Sequence, residues 1–295
     1  MRKKIFICLF ICLGSGMISG NSQQPVTVTE KMQQPVLEKK KINFFIVSKR
    51  KKGKLDLATR YNVMRSKIKG FFCRKQFVAI IARDTKQACY RISQQLKNKD
   101  ARLGTIWFDS HGMYKKGYSL FFIGHDEINY ITLKDSNYST HLSSLTPFTD
   151  HESRFVIGSC YGGATYTRSS IDYKDTSRMN GDSLMIALGN IIRNGKVYAS
   201  ESWVMTKPGL FRRRPAVGGF PGRRLFRDIC YEPAWKNMGV WNQYDAGAGK
   251  ISRSNPVSLD RYGNLIIRGV PFTHERTFRK NYHKKLTRLE SNLYK

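Results

Sequence analysis

Two residues of the sequence, His111 and Cys160, have the chemical types and the local settings that nucleophilic catalysis requires. His111 ends a hydrophobic stretch and precedes Gly112, while Cys160 ends another and precedes Tyr161-Gly162-Gly163. A cysteine nucleophile needs a base to generate its thiolate and donors for the oxyanion that forms on attack. Glycines beside both residues let a substrate backbone approach and leave backbone N–H groups free to donate. Each motif alone is typical of a structural residue, but together they favour acyl transfer.

Strands and helices in alternation must position this pair. The pattern predicts strands over 42–47, 76–82, 103–108, 154–157 and 196–203. It predicts helices over 55–68, from a cap at Asp84-Thr85 to Lys97, and over 181–193, and a hairpin with strands 118–123 and 128–133 around Gly124-His125-Asp126. Strands separated by helices indicate crossover connections and therefore an α/β fold with a mainly parallel sheet. Because catalytic groups gather beyond the carboxyl ends of such strands, His111 and Cys160 are expected to lie together.

The two motifs resemble the catalytic motifs of the clan CD cysteine peptidases, which include caspases, metacaspases, legumain, clostripain and the gingipains. The resemblance covers roughly 76–203, with Ser110-His111-Gly112 after one strand and Gly158-Ser159-Cys160-Tyr161-Gly162 after another. The offset from His111 to Cys160 is close to the value of about 50 residues in caspases. The resemblance implies a caspase-like three-layer sandwich with helices on both faces of the sheet. It also implies that Cys160 is the nucleophile, that His111 is the general acid/base, and that the N–H groups of Gly112 and Cys160 form the oxyanion hole.

Substrate preference does not carry over from the resembled families. The caspase signature Q-A-C-[RQG]-G is not met, and the residue two positions before the nucleophile is Gly158, which has no side chain to read the P1 residue. Asp109 and Glu201, each at the end of a predicted strand, are the other candidates for the substrate pocket, where an acid would favour a basic P1 residue. Either acid can instead be a salt-bridge partner for one of the many arginines. No CxxC, HExxH or His-rich tract occurs, and we expect neither a metal nor a cofactor.

The N-terminus predicts export. Residues 1–20 have the basic start, the apolar run Ile5–Leu13 and the small residues of a secretory signal peptide. The apolar run is shorter than the roughly 20 residues of a membrane-spanning helix, so we expect a secreted or periplasmic protein without a membrane segment after cleavage. We interpret 21–41 as a linker or short propeptide, 42–206 as the peptidase domain, and 207–295 as a basic, irregular C-terminal extension packed on that domain.

The net charge indicates which partners the protein attracts, and the cysteines limit which disulfides can form. The sequence has 52 Lys and Arg against 21 Asp and Glu, a net charge of +31. Such a field attracts anionic polymers or membrane surfaces. The candidate contacts are five arginines of the extension, namely Arg212, Arg213, Arg214, Arg223 and Arg224. Apart from Cys160, the cysteines beyond the signal are Cys73, Cys89 and Cys230, of which Cys73 and Cys89 could pair.

Two other functions are compatible with the same residues. Gly158-Ser159-Cys160-Tyr161-Gly162 is also similar to the nucleophile elbow of dienelactone-type α/β-hydrolases, in which His274 or His283 would be the base. An elbow leads directly into a helix, whereas 164–180 is polar and poorly periodic, which favours the peptidase. The third possibility is a non-catalytic caspase-like protein that binds anionic surfaces through its basic extension.

Overall fold

A computed structural model of the chain describes residues 39–48, 64, 68, 76–112, 118–165, 179–202, 204–206, 217–218, 240–260 and 262–267. The strands are β1 (Lys41–Ser48), β2 (Phe77–Ala82), β3 (Arg102–Asp109), β4 (Phe121–Ile123), β5 (Asp126–Ile128), β6 (Arg154–Gly158), β7 (Lys196–Ser200), β8 (Met205–Thr206), β9 (Val217–Gly218), β10 (Trp241–Asp245), β11 (Lys250–Ser254), β12 (Val257–Leu259) and β13 (Leu265–Ile267). The α-helices are α1 (Thr85–Asn98), α2 (Ser136–Ser143) and α3 (Gly181–Ile192), and single 3₁₀ turns lie at Thr132–Lys134 and Thr146–Phe148.

Seven strands form the central sheet in the order β11-β10-β7-β6-β3-β1-β2. The strands β2, β1, β3, β6 and β7 run parallel to one another, whereas β10 is antiparallel to both β7 and β11. Parallel strands need crossover connections. Helix α3 connects the neighbours β6 and β7, and helix α1 connects β2 to β3, which lies on the other side of β1. The predicted mainly parallel α/β sheet is therefore confirmed.

Both faces of the sheet are apolar, which explains the nearly continuous hydrophobic strands. Alternate residues of β1, such as Phe44 and Ile46, join a core with the buried sides of α1, α2 and α3. The residues between them, such as Phe45 and Val47, form a second core that is covered by the β12–β13 hairpin. Helices α1, α2 and α3 thus pack on one face of the sheet, and among the described residues the β12–β13 hairpin packs on the other.

A bulge in β3 sets the register of the central strands. Ile42 pairs with Leu103 but Phe44 pairs with Ile106, so two residues of β3 lie opposite Asn43 alone. Asn43 is buried, and its Oδ1 accepts from the N–H of Thr105 at 2.7 Å. Its Nδ2 donates to Tyr262 O at 2.9 Å and to Asn264 Oδ1 at 2.7 Å, which ties the bulge to the β12–β13 hairpin.

Several predicted elements have different limits in the structure. The Gly124-His125 turn is confirmed, but its second strand is β5, Asp126–Ile128, and not 128–133, because Thr132–Lys134 forms a 3₁₀ turn. The last parallel strand ends at Ser200 and not at 203. The strands β10 and β11 extend the same sheet beyond residue 206, and the sequence analysis missed them because WNQYD and KISRS are polar.

Other predictions fall outside the described residues. These are the signal peptide, most of the 21–41 linker, and the five arginines of the 207–295 extension. Of the helix predicted over 55–68, Met64 and Ile68 are described and are helical. In the described part of the chain, none of the helices has the length and apolar character needed to cross a membrane.

Candidate active site

The two candidate catalytic residues follow neighbouring strands, as the sequence predicts. β3 and β6 pair in parallel, with Asp109 opposite Gly158, so the residues after each strand leave the sheet side by side. Gly112 and Cys160 are then in backbone contact: a Cβ added at Gly112 would collide with the carbonyl oxygen of Cys160 and lie 2.7 Å from its nitrogen. No larger residue fits there, which explains the glycine. His111, directly before Gly112, is exposed to solvent.

Serines at three strand ends hold a common segment over this edge of the sheet. Ser48, the last residue of β1, donates from Oγ to Phe122 O. Ser110, which follows β3, accepts at Oγ from the N–H of Phe122 at 3.0 Å. The buried Ser159, directly before Cys160, donates to Leu120 O at 3.1 Å. The segment 120–122 therefore links the three strand ends and fixes the residues directly before His111 and Cys160.

The turn that carries Cys160 is held from its other side by the loop after β7. The N–H of Tyr161 donates to Ser202 O and the N–H of Gly163 donates to Ser200 O, both at 2.9 Å. Tyr161 has a φ of 61°, a left-handed conformation that is uncommon for a residue with a side chain. These backbone bonds hold the chain in a sharp turn directly after the candidate nucleophile.

The sulfur of Cys160 lies against backbone groups. Its thiol donates to Val204 O at 3.8 Å, and the N–H of Val204 donates to Sγ at 3.4 Å. Burial raises the pKa of the Cys160 thiol, and the negative charge of Asp109 adds to this rise, whereas N–H bonds from Val204, Cys160 itself and Gly112 oppose it. Because burial is the largest of these effects, the resting group at neutral pH is the thiol and not the preformed thiolate.

The three candidate pocket residues have different surroundings. Asp109 is half-buried at the end of β3, close enough to Cys160 to affect its ionisation. Gly158 is buried, and a Cβ there would collide with the indole of Trp107, so this ring fills the space that a side chain would take. Glu201 is buried at 6% exposure and its Oε1 accepts from Asn242 Nδ2 at 2.9 Å.

Sequence reasoning missed two residues of this site, Val204 and Asn242. Val204 follows the predicted strand, and only the contact of its backbone with Sγ gives it a place in the site. Asn242 lies on β10, which the polar sequence WNQYD did not reveal. Asn242 lies between Trp241 and Gln243, and nothing local in the sequence indicates that it is buried or what it contacts.

Other features lie apart from the dyad. Cys89 is a buried free thiol and so does not pair with Cys73; burial raises its pKa to about 12, which makes it inert at neutral pH. A groove of about 670 Å³ lies between α1 and α2, lined by residues that include Tyr90, His141 and Phe148, and contains neither Cys160 nor His111. The described residues contain no group of three His, Cys, Asp or Glu arranged to hold a metal ion.

Comparison with known proteins adds no assignment to this site. The chain matches no protein-family model and no curated protein sequence.

Proposed function

We propose that the chain is a cysteine endopeptidase, a thiol protease of the caspase-like type, with Cys160 as nucleophile and His111 as general acid/base. The observation that carries the proposal is the backbone contact between Gly112 and Cys160 at the carboxyl edge of a parallel sheet. The N–H groups of Gly112 and Cys160 both act on the sulfur. A carbonyl carbon attacked by that sulfur would bring its oxygen close to the same two donors, which is the arrangement of an oxyanion hole.

The resting thiol determines the order of the chemical steps. The imidazole of His111 accepts the proton of Cys160 as the sulfur attacks the peptide carbonyl carbon, because a preformed thiolate is disfavoured by burial. The tetrahedral oxyanion collapses to a thioester, and the protonated His111 gives its proton to the leaving amine. Water, deprotonated by His111, then attacks the thioester, which releases the acid product and returns the proton to Cys160.

Hydrolysis of a fluorogenic peptide library, varied at P1, tests the proposal. Wild type is expected to cleave, Cys160→Ala to be inactive, and His111→Ala to lose about 10²- to 10⁴-fold, the usual contribution of a general base. A preference for Arg or Lys at P1 that Glu201→Gln or Asp109→Asn abolishes would assign the pocket acid. Well-folded wild type that cleaves neither peptides nor esters would refute the proposal.

The α/β-hydrolase alternative makes a different prediction about which histidine is needed. His274→Ala and His283→Ala, whose positions lie outside the described residues, serve as matched controls for His111→Ala. The peptidase proposal expects both controls to keep wild-type turnover. Loss of turnover in either of them, with His111→Ala active, would replace the peptidase with the hydrolase.

We also propose that the protein acts after export, in the periplasm or outside the cell. N-terminal sequencing of the mature protein tests this, since a start near residue 21 is expected. Binding to an anionic surface through Arg212–Arg214, Arg223 and Arg224 remains part of the proposal, and it predicts retention on anionic vesicles that rises as salt is lowered. Unprocessed, cytosolic protein would contradict the first expectation, and salt-independent retention would contradict the second.

A further inference from the structure

Asn242 connects the two loops that lie on either side of the Cys160 sulfur. It is on β10, next to β7, and is buried at 6% exposure. Its Nδ2 donates to Gly163 O at 2.9 Å and to Glu201 Oε1 at 2.9 Å. Gly163 belongs to the turn that carries Cys160, and Glu201 begins the loop that carries Val204. A single amide nitrogen therefore binds both loops.

Gly163 is packed so closely by its neighbours that a displacement of this residue also displaces the residues around it. A Cβ added at Gly163 would lie 2.7 Å from Ala199 O, and one added at Gly181 would collide with Gly163, so strand β7 and the start of α3 enclose this residue. Protein interiors packed this closely pass small shifts on to their neighbours. Gly163 is three residues after Cys160 within one turn, and the N–H of Ala164 donates back to Tyr161 O at 3.2 Å.

We propose that Asn242 is a positioning residue for the nucleophile: anchored by Glu201, it fixes the Gly163 carbonyl and thereby the place of the Cys160 sulfur between Gly112 and Val204. The catalytic part of this inference rests on the proposed peptidase function. The position of the sulfur itself can be measured without that function, through the reactivity of Cys160.

Asn242→Asp gives a test with a distinctive dependence on pH. It places a second carboxyl beside Glu201, and two carboxyls at hydrogen-bond distance share one proton at low pH but repel when both are ionised. Arg253 is the cross-strand neighbour of Asn242 on β11, and the start of α3, which packs on Gly163, carries Asp182. Arg253 acts on the new carboxylate in both the single and the double variant described below, so the comparison of these two variants isolates the effect of the Glu201 carboxyl.

The measured quantity is the ratio of the variant rate to the wild-type rate across pH. The rate is that of iodoacetamide alkylation at the Cys160 peptide, followed by mass spectrometry, and kcat/KM for a cleaved peptide is measured alongside. For Asn242→Asp the ratio is expected to fall at least about tenfold as pH rises, since small misplacements of a reacting group cost this much or more. For the double variant Asn242→Asp/Glu201→Gln this ratio is expected not to fall with pH, because a neutral amide replaces one of the two carboxyls.

Asn190→Asp is the matched control. Its Oδ1 accepts from the hydroxyl of Tyr244, also on β10, and an aspartate oxygen keeps that bond, so a ratio near one at every pH is expected. A flat ratio for folded Asn242→Asp, a fall that persists in the double variant, or the same fall in Asn190→Asp would overturn the inference. If wild type cleaves no peptide, the peptidase proposal fails by itself, and the alkylation ratios still decide the role of Asn242.

Discussion

Replacing Asn43 with alanine tests whether one buried side chain sets the register of the sheet. The substitution removes three hydrogen bonds, from Thr105 N–H at 2.7 Å, to Tyr262 O at 2.9 Å and to Asn264 Oδ1 at 2.7 Å. At about 1 kcal/mol net for each bond, this costs about 3 kcal/mol. The buried N–H of Thr105, left without this acceptor, adds about 1 kcal/mol or more, which gives a total near 4 kcal/mol.

Urea unfolding measures this loss. With a slope of about 2 kcal/mol/M, the midpoint of Asn43→Ala should fall by about 2 M. The control is Asn190→Ala, an exposed residue that loses one bond of 3.3 Å, and it should change the free energy of unfolding by about 1 kcal/mol or less. A loss of less than about 1 kcal/mol for Asn43→Ala would show that the bulge does not depend on this side chain.

Three further perturbations follow from the structure. The rate of Cys160 alkylation should rise with pH around a midpoint above that of an ordinary thiol, because the pKa of Cys160 is raised. Asp109→Asn should move this midpoint to lower pH, because it removes a negative charge that raises the thiol pKa. An unchanged midpoint would contradict this. Gly158→Ala should lower stability by about 1–3 kcal/mol in a urea titration, since its Cβ collides with an indole, while Gly247→Ala, whose Cβ has its nearest contact at 3.5 Å, should be close to neutral. Hydrogen bonds from Ala248 N–H and from Lys196 lower the pKa of Asp245, so its stabilisation is present above the unfolded-state pKa and is lost as pH falls through the lower folded pKa. Asp245→Asn should therefore reduce the urea midpoint at neutral pH and have less effect in acid, and an equal effect at both would refute the assignment.

The parallel part of the fold could be predicted because its signals are local. Strands β1, β2, β3 and β6 are short apolar runs that end at, or directly before, a polar or glycine residue. Helix α1 has its predicted cap, with Asp84 accepting from the N–H of Gln87 at 2.6 Å. The strands β10 and β11 could not be recognised in the same way. β11 is an exposed edge strand and has no apolar face. β10 buries Trp241, Asn242 and Tyr244, but its polar residues Asn242, Gln243 and Asp245 break the apolar pattern that would reveal a strand.

The candidate site was predictable only as far as strand order allows. Two motifs that follow neighbouring parallel strands must meet, and the contact between Gly112 and Cys160 follows from this. The residues that complete the surroundings of the sulfur depend on contacts between distant parts of the chain. Val204 and Asn242 act on the Cys160 turn across 44 and 79 residues, and no spacing rule connects them.

The burial of the Cys160 thiol has a consequence for its chemical lifetime. Peroxide oxidises thiolates far faster than thiols, and oxidation to sulfenic and then sulfinic acid follows both thiolate fraction and exposure. Cys160 is half-buried, and its raised pKa lowers its thiolate fraction, so we expect slower oxidation than for an exposed thiol of ordinary pKa. For a chain that we propose to act outside the cytosol, in an oxidising environment, this resting state would help to preserve the reactive group until it is used.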